Sequence, residues 1–538
     1  MIQSLKKIWR WNTQPLSRRA MLHRWSLLPL SGLSLTQTTP LLTAAKGLRL
    51  GKDIYSSIGV RPLINARGTF TIISGSLMLP EVRAAMDAAA QRYVHLDELM
   101  EAIGARLAEL TKAEWGMVTS GCAAALTHAT AACVAGGNPD LHVRIPNLQG
   151  FPKDEVIIPR HSRNVYDAAV RAVGVRILEV ESIDDLLSAL GPRTAMIYIL
   201  AGPQADKSPL STQAIAQIVG PKGVPILVDA AAEILTVPNV HLESGASLVG
   251  YSGGKCIRGP QSAGLLLGRK DLVRAAWIHS APHHGFARSM KVGKEEAIGM
   301  LMAVEMWAQR DHPAEWNRWL SWLEHCRQRL SVIAGVTATI EAPAGLSNRT
   351  PALAVRWDPS QLGINGRSVV KHLWETEPRI AMSAWRGEKG KQTGVSITPY
   401  MMVAGEEVIV ADRLYALLST PPKQETAGTL QTPAFDLSGR WDVRIDFTAG
   451  SSRHSFHIQQ EDHRLEGTHQ GDFVSRDLTG SIEGDTVQMT SSYTERHGDS
   501  LLFTFSGKVA GSDMAGTLDM GEYLTAQWKA TKHEYRKD

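Results

Sequence analysis

Two residues constrain this chain more than any others, an aspartate and a lysine 26 positions apart (255 − 229). Asp229 closes a short apolar run, Pro225-Ile-Leu-Val-Asp229, and Lys255 ends the polar, glycine-bearing stretch Tyr251-Ser252-Gly253-Gly254-Lys255. A carboxylate at the end of a buried strand and an amine on a loop one short unit later meet only if strand and loop lie side by side. That requirement selects a sheet of neighbouring strands joined by helices. The surrounding sequence agrees. From Arg61 to Met300, helical periodicity (81–110, 123–134) alternates with brief apolar runs at 115–119, 155–158, 175–178, 195–200, 225–229 and 265–268. This is the pattern of a parallel α/β sheet covered on both faces.

Beyond Met300 the organisation changes twice. Helices resume over 294–330, and a smaller mixed α+β region spans 331–418. A polar, proline-bearing linker follows at 419–433, and the remainder, 434–538, breaks into eight short alternating runs at 441–447, 454–459, 464–468, 478–482, 487–491, 501–505, 515–518 and 526–530. Gly- and Asp-bearing turns at regular intervals predict an antiparallel meander, and eight strands are enough to close a small barrel. Gly439-Arg440-Trp441 at its start resembles the first strand of lipocalin-like barrels. The expected domains are therefore a large α/β domain over 55–330, a small domain over 331–418 and an all-β barrel.

An aspartate and a lysine placed in this way suit pyridoxal 5'-phosphate (PLP). Its chemistry needs an amine that bonds to the cofactor aldehyde and an acid that keeps the pyridine nitrogen protonated. Lys255 and Asp229 are the candidates for these roles. The cofactor phosphate needs N–H donors and hydroxyls at a helix N-terminus. Thr119-Ser120-Gly121-Cys122 supplies them where a strand turns into an Ala-rich helix, with Ser252 as a further ligand candidate. His161, just after the apolar run 155–158, is placed to stack on the pyridine ring. Arg67, Arg258, Arg288 and Arg386 lie in Gly-, Ser- or aromatic-flanked segments and are candidates for the substrate carboxylate, which a planar guanidinium grips through two oxygens.

These residues carry a resemblance. Ser252-Gly253-Gly254-Lys255 followed by Gly259-Pro260-Gln261-Ser262-Ala263-Gly264 resembles the cofactor-lysine segment of the selenocysteine synthase and D-glucosaminate-6-phosphate ammonia-lyase family. Arg61-Pro62-Leu63-Ile64-Asn65-Ala66 with Gly68-Thr69 is similar to that family's opening, and Met290-Lys291-Val292-Gly293-Lys294-Glu295-Glu296 to its post-lysine segment. The resemblance implies PLP fold type I (an aspartate-aminotransferase-like large domain with a small α+β domain) and a homodimer or higher symmetric oligomer. It also implies α-proton abstraction and β-elimination on an amino acid or amino-sugar acid, releasing a 2-oxo acid and ammonia. Transamination, racemisation and aldol cleavage share the carbanion and remain open. Outside enzymology, a noncatalytic exported binding protein is the rival. The family's selenium-transfer branch begins with a tRNA-engaging region that has no counterpart before Arg61.

Charge excludes one function class and points to an address. The net charge of +4 rests on residues 1–45, which hold six basic residues and no acid; the rest carries 4 − 6 = −2. No basic field remains for nucleic acid. The basic stretch ends in Ser17-Arg18-Arg19-Ala20-Met21-Leu22, continues into a modestly apolar run and reaches Thr43-Ala44-Ala45. It resembles a twin-arginine export signal, which predicts a periplasmic protein, with a cytoplasmic one as the alternative. No stretch of about 20 apolar residues predicts a membrane span. The four cysteines, and the adjacent His283-His284, have no metal-ligand spacing.

Overall fold

The computed structural model describes residues 47–52, 54–387, 391–422, 431–495, 497–498 and 500–534. The basic segment read as an export signal lies outside the described residues, as do residues 423–430 of the linker. The chain divides into two units, Met1–Pro62 and Leu63–Asp538. In the first, Ser57 ties a 3-10 turn, accepting from the Arg49 N–H and donating to the Ile54 carbonyl.

The second unit is built on a seven-stranded sheet. In chain order its strands are β1 (Trp115–Thr119), β2 (Glu155–Pro159), β3 (Arg176–Val180), β4 (Thr194–Leu200), β5 (Ile226–Asp229), β6 (Leu248–Ser252) and β7 (Gly264–Gly268). In space they run β1-β7-β6-β5-β4-β2-β3. The stretch from β3 to β6 is parallel, whereas β7 pairs antiparallel with both β6 and β1. The parallel strands are buried on both faces: Val156–Ile158 and Ala195–Ile199 are fully excluded from water. This is why they read as unbroken apolar runs rather than alternating ones.

Helix α1 (Pro80–Ala90) and helix α2 (Leu96–Thr111) replace the single helix expected over 81–110. Tyr93 and Val94 between them face solvent, so no apolar stripe continues through the break. Helix α3 (Cys122–Ala135) is buried on almost every side, which accounts for its Ala-rich composition. Helices α4 (Lys294–Gln309) and α5 (His312–Leu330) lead to a four-stranded antiparallel sheet. Its strands are β8 (Val336–Glu341), β9 (Ala352–Trp357), β10 (Ser383–Arg386) and β11 (Thr393–Ile397), ordered β10-β11-β9-β8. A second apolar core lies against this sheet, and it includes Leu323 and Leu330 of α5.

The eight C-terminal strands close into a barrel: β12 (Gly439–Asp446), β13 (Ser451–Glu461), β14 (Arg464–Gln470), β15 (Ser475–Glu483), β16 (Thr486–Thr494), β17 (Ser500–Ala510), β18 (Asp513–Asp519) and β19 (Thr525–Lys532). Each pairs antiparallel with the next, and β19 returns to β12. Its core is its own, centred on Trp441, Phe456, Phe505 and Trp528. Among the described residues no helix is long and apolar enough to cross a membrane, and no group of three or more His, Cys, Asp or Glu could hold a metal.

Candidate active site

Strand β5 delivers Asp229 to the carboxyl edge of the sheet, where crevices form in such folds. Asp229 is 2% exposed, and burial pushes its carboxyl above the usual carboxylate range. Three contacts oppose that push. The Ala231 N–H donates to Oδ1 at 3.1 Å, the Tyr198 hydroxyl donates to Oδ2 at 2.9 Å, and the Cys122 thiol lies 3.5 Å from Oδ1. Tyr198 is itself positioned by Asn164, whose Nδ2 donates to the phenol oxygen at 2.9 Å. The carboxylate is therefore fixed in orientation but short of positive charge, apart from the more distant Lys255.

Lys255 follows β6 in a turn closed by the Arg258 N–H on its carbonyl, at 2.9 Å. Both Lys255 and Asp229 line one cavity of about 640 Å³, together with Gly121, Cys122, Ser252 and Arg67. The N-terminus of α3 enters this cavity because the backbones behind it are unusually close. A Cβ on Gly264 of β7 would sit 2.5 Å from Gly121 C and 2.7 Å from Cys122 N. Gly121 caps the helix with φ 89° and has open space where its side chain would be. The first N–H groups of α3 thus face a gap flanked by the Ser252 hydroxyl, the arrangement that holds a phosphate. The donor set fits PLP: an amine, a phosphate cradle, and a desolvated carboxylate that a protonated ring nitrogen would neutralise.

The other sequence candidates are placed less centrally. Ser120 does not line the cavity; its hydroxyl donates to the Met290 carbonyl at 3.1 Å. His161 sits in a 3-10 turn after β2, outside the cavity lining, with burial lowering its pKa and Nε2 buried without a partner. Arg288 and Arg386 are exposed and line neither this cavity nor its neighbour. Arg258 lines a different cavity. Arg67 alone of the four arginines reaches this one, with its guanidinium 4.2 Å from the Phe70 ring centre and its buried Nε unpartnered.

Several lining residues were not singled out from sequence. Tyr400 accepts from the Thr69 N–H at 3.3 Å and donates to Asn348 Oδ1 at 2.9 Å, joining the opening segment to the small domain across the cavity. Tyr198, which is fully buried behind the lining and reaches the site only through Asp229, had a readable signal: a lone hydroxyl within the buried run of β4 must find a partner.

Comparison with known proteins decides the family. Over 371 residues the chain is 30% identical to D-glucosaminate-6-phosphate ammonia lyase of Salmonella typhimurium, covering 67% of this chain and 97% of the relative. It belongs to the PLP-dependent, fold-type-I family of selenocysteine synthase and D-glucosaminate-6-phosphate ammonia-lyase. A solved structure of D-glucosaminate-6-phosphate ammonia-lyase superposes with TM-score 0.60 at 30% identity, over 69% of this chain and 99% of that one. The 5'-C-glycyluridine monooxygenase-decarboxylase of a Streptomyces species is also 30% identical, over 68% of this chain and 92% of its own. The L-seryl-tRNA(Sec) selenium transferase of Moorella thermoacetica is 27% identical over 44% of this chain and 53% of its own. No family model matches the chain. In the first two alignments, which span nearly the whole of the relative, roughly a third of this chain has no counterpart, whereas the chain spans about half the length of the selenium transferase.

Proposed function

We propose that this chain is a PLP-dependent lyase that removes the α-proton of an amino acid or amino-sugar acid, expels its β-substituent and releases a 2-oxo acid and ammonia. The observation that carries the reading is the meeting of Lys255, Asp229 and the open N-terminus of α3 in one cavity, in a chain similar to an ammonia lyase along nearly that relative's whole length. When bound, PLP supplies an aldehyde that captures the substrate amine and a protonated ring that takes up the electrons of the broken C–H bond.

The chain's own residues do the rest. The first N–H groups of α3 and the Ser252 hydroxyl hold the phosphate. Asp229, oriented by Tyr198 and the Ala231 N–H, holds the proton on the ring nitrogen. The Lys255 amine, once exchanged for the substrate's, takes the α-proton at Nζ. Arg67, whose buried Nε has no hydrogen-bond partner, offers its guanidinium to the α-carboxylate. For a β-hydroxy substrate the balance closes: one water is lost at Cβ, one is consumed at Cα, and ammonia leaves.

The test is a panel of amino acids and amino-sugar acids scored for ammonia and 2-oxo acid in equal amounts. The monooxygenase-decarboxylase relative makes oxygen uptake with loss of carbon dioxide the outcome that would overturn elimination. Cofactor loading is read separately. The loaded enzyme should absorb at about 420 nm; borohydride should abolish that band and fix the reduced cofactor onto a peptide containing Lys255, and a label on another lysine would overturn the assignment. We further propose that residues 1–45 direct twin-arginine export, from the Arg18-Arg19 motif within an acid-free basic segment. Replacing both arginines with lysine should then leave loaded enzyme in the cytoplasm, and unchanged export would refute this.

A further inference from the structure

A second cavity, of about 590 Å³, shares Tyr400 with the first and has no part in the chemistry above. Its aromatic wall is a ladder. Trp316 and Trp319 lie one turn apart on α5 with ring centres 6.4 Å apart, and Trp319 meets Tyr400 at 6.2 Å, both pairs edge to face. Its charge is one-sided. Arg310 is held through two nitrogens by Glu315, at 3.1 and 2.8 Å, so that pair cancels. Arg258, Arg318 and Arg349 also line the cavity, and none of the three has an acidic partner among the described residues. Arg258 uses Nε on the Leu77 carbonyl at 2.8 Å. Burial lowers its pKa, and Arg310 and Arg318 push the same way, against the weaker pull of Glu315 and Glu81. Its backbone sits at φ 61°, a conformation that non-glycine residues adopt only under constraint.

Guanidiniums without an acidic partner, beside half-buried indoles, are complementary to a flat ring that carries negative charge. The ring stacks on tryptophan or guanidinium, and the anion takes the forks. We propose that this cavity is a binding site, distinct from the PLP cavity, for a planar aromatic anion: a ring bearing a phosphate or carboxylate.

The test uses the cofactor-loaded enzyme, so that the phosphate cradle at α3 is already filled. Adenosine and uridine 5'-monophosphates are titrated by calorimetry and by tryptophan fluorescence, with adenosine and ribose 5-phosphate as the uncharged and ringless controls. One saturable site per chain is expected, with fluorescence quenching, and with each control weaker by roughly tenfold or more. Arg318→Ala and Arg349→Ala, both at exposed positions, should each weaken the nucleotide by roughly tenfold, the loss expected for one charge-assisted hydrogen bond. Trp316→Ala should remove most of the quenching. Four results would overturn the proposal. They are no saturable binding of either nucleotide, equal affinity in the arginine variants, displacement of PLP by the nucleotide, and a change of oligomeric mass in the arginine variants, which would show a second copy of the chain filling the cavity. Labelling of Lys255 reports on the first cavity alone, so the two readings fail separately.

Discussion

Asp229 shows how one buried residue is made suitable for a charged partner. A carboxylate this deeply buried is unfavourable unless it is hydrogen-bonded and neutralised. The chain provides the hydrogen bonds through Tyr198 and Ala231, and in the proposed function a ring nitrogen would supply the neutralising charge. Asp229→Asn keeps the shape and removes the charge, so proton abstraction should slow by about 4–7 kcal/mol of barrier, with cofactor affinity falling much less. Single-turnover kinetics against a PLP titration separates the two, and near-normal turnover would mean another group holds the ring. Tyr198→Phe removes one oriented donor to the same carboxylate. A loss of roughly 1.5–3 kcal/mol is expected, the worth of a hydrogen bond to a charged group. It should appear in kcat with the 420 nm band intact at about its usual position. Of the residues that line the cavity, Asp229, Lys255, Gly121, Cys122, Ser252 and Arg67 were legible because they sit in short motifs or, for Arg67, beside a glycine. Tyr400 and Asn348 were not. They reach the cavity from the small domain, and their contacts with Thr69 span hundreds of positions of sequence.

At the scale of elements, six of the seven large-sheet strands were readable as apolar runs. Strand β6 was missed because Leu248-Val249-Gly250-Tyr251-Ser252 carries a glycine and ends in the polar motif. Packing accounts for the glycine, since a Cβ on Gly250 would lie 3.1 Å from the Cys122 sulfur. The antiparallel direction of β7 was equally hidden, because pairing partners are set by tertiary contacts rather than by local pattern. Closeness of β7 to α3 gives a prediction of its own. Gly264→Ala places a methyl group against the Gly121 and Cys122 backbone, and overpacking of this kind costs about 1–3 kcal/mol. The strain falls on the N-terminus of α3, proposed to hold the phosphate, so PLP affinity should drop by more than urea stability does. Calorimetric titration of PLP alongside urea unfolding measures both, and unchanged PLP affinity would show that the cradle lies elsewhere. All eight barrel strands were legible, because residues alternate between core and solvent along them, as in His454, Phe456 and Ile458 of β13.

At the scale of the whole molecule the barrel is closed on itself around its own core. Every strand pair closes within 439–532, and among the described residues its core draws only on Phe435 to Ala530. Every residue lining the cavity proposed to hold PLP lies at or before Tyr400. A chain ending near Leu418 is therefore expected to keep the cofactor, and residues 431–538 to unfold cooperatively alone; loss of PLP from the shortened enzyme would refute the first expectation. The barrel's own response to acid is predictable from a buried chain of side chains. His454 Nδ1 lies 2.7 Å from His469 Nε2, and His469 Nδ1 lies 2.7 Å from the Ser491 hydroxyl. Burial lowers the His469 pKa to about 3, with His454 and Arg476 pushing the same way. Asp472 lies 3.5 Å from His454 and pulls that second imidazole in the opposite direction. Folding therefore favours neutral His469, whose unfolded pKa is about 6.5. Its contribution is complete above that value. It is lost as pH falls from there towards 3, where the unfolded chain binds the extra proton, at up to about 1.4 kcal/mol per pH unit. Urea midpoints of the isolated barrel should thus fall between pH 7 and pH 4.5 (roughly the window set by these pKa values), and His469→Gln should flatten that fall. A variant as acid-sensitive as the parent would place the titrating group outside this chain of histidines.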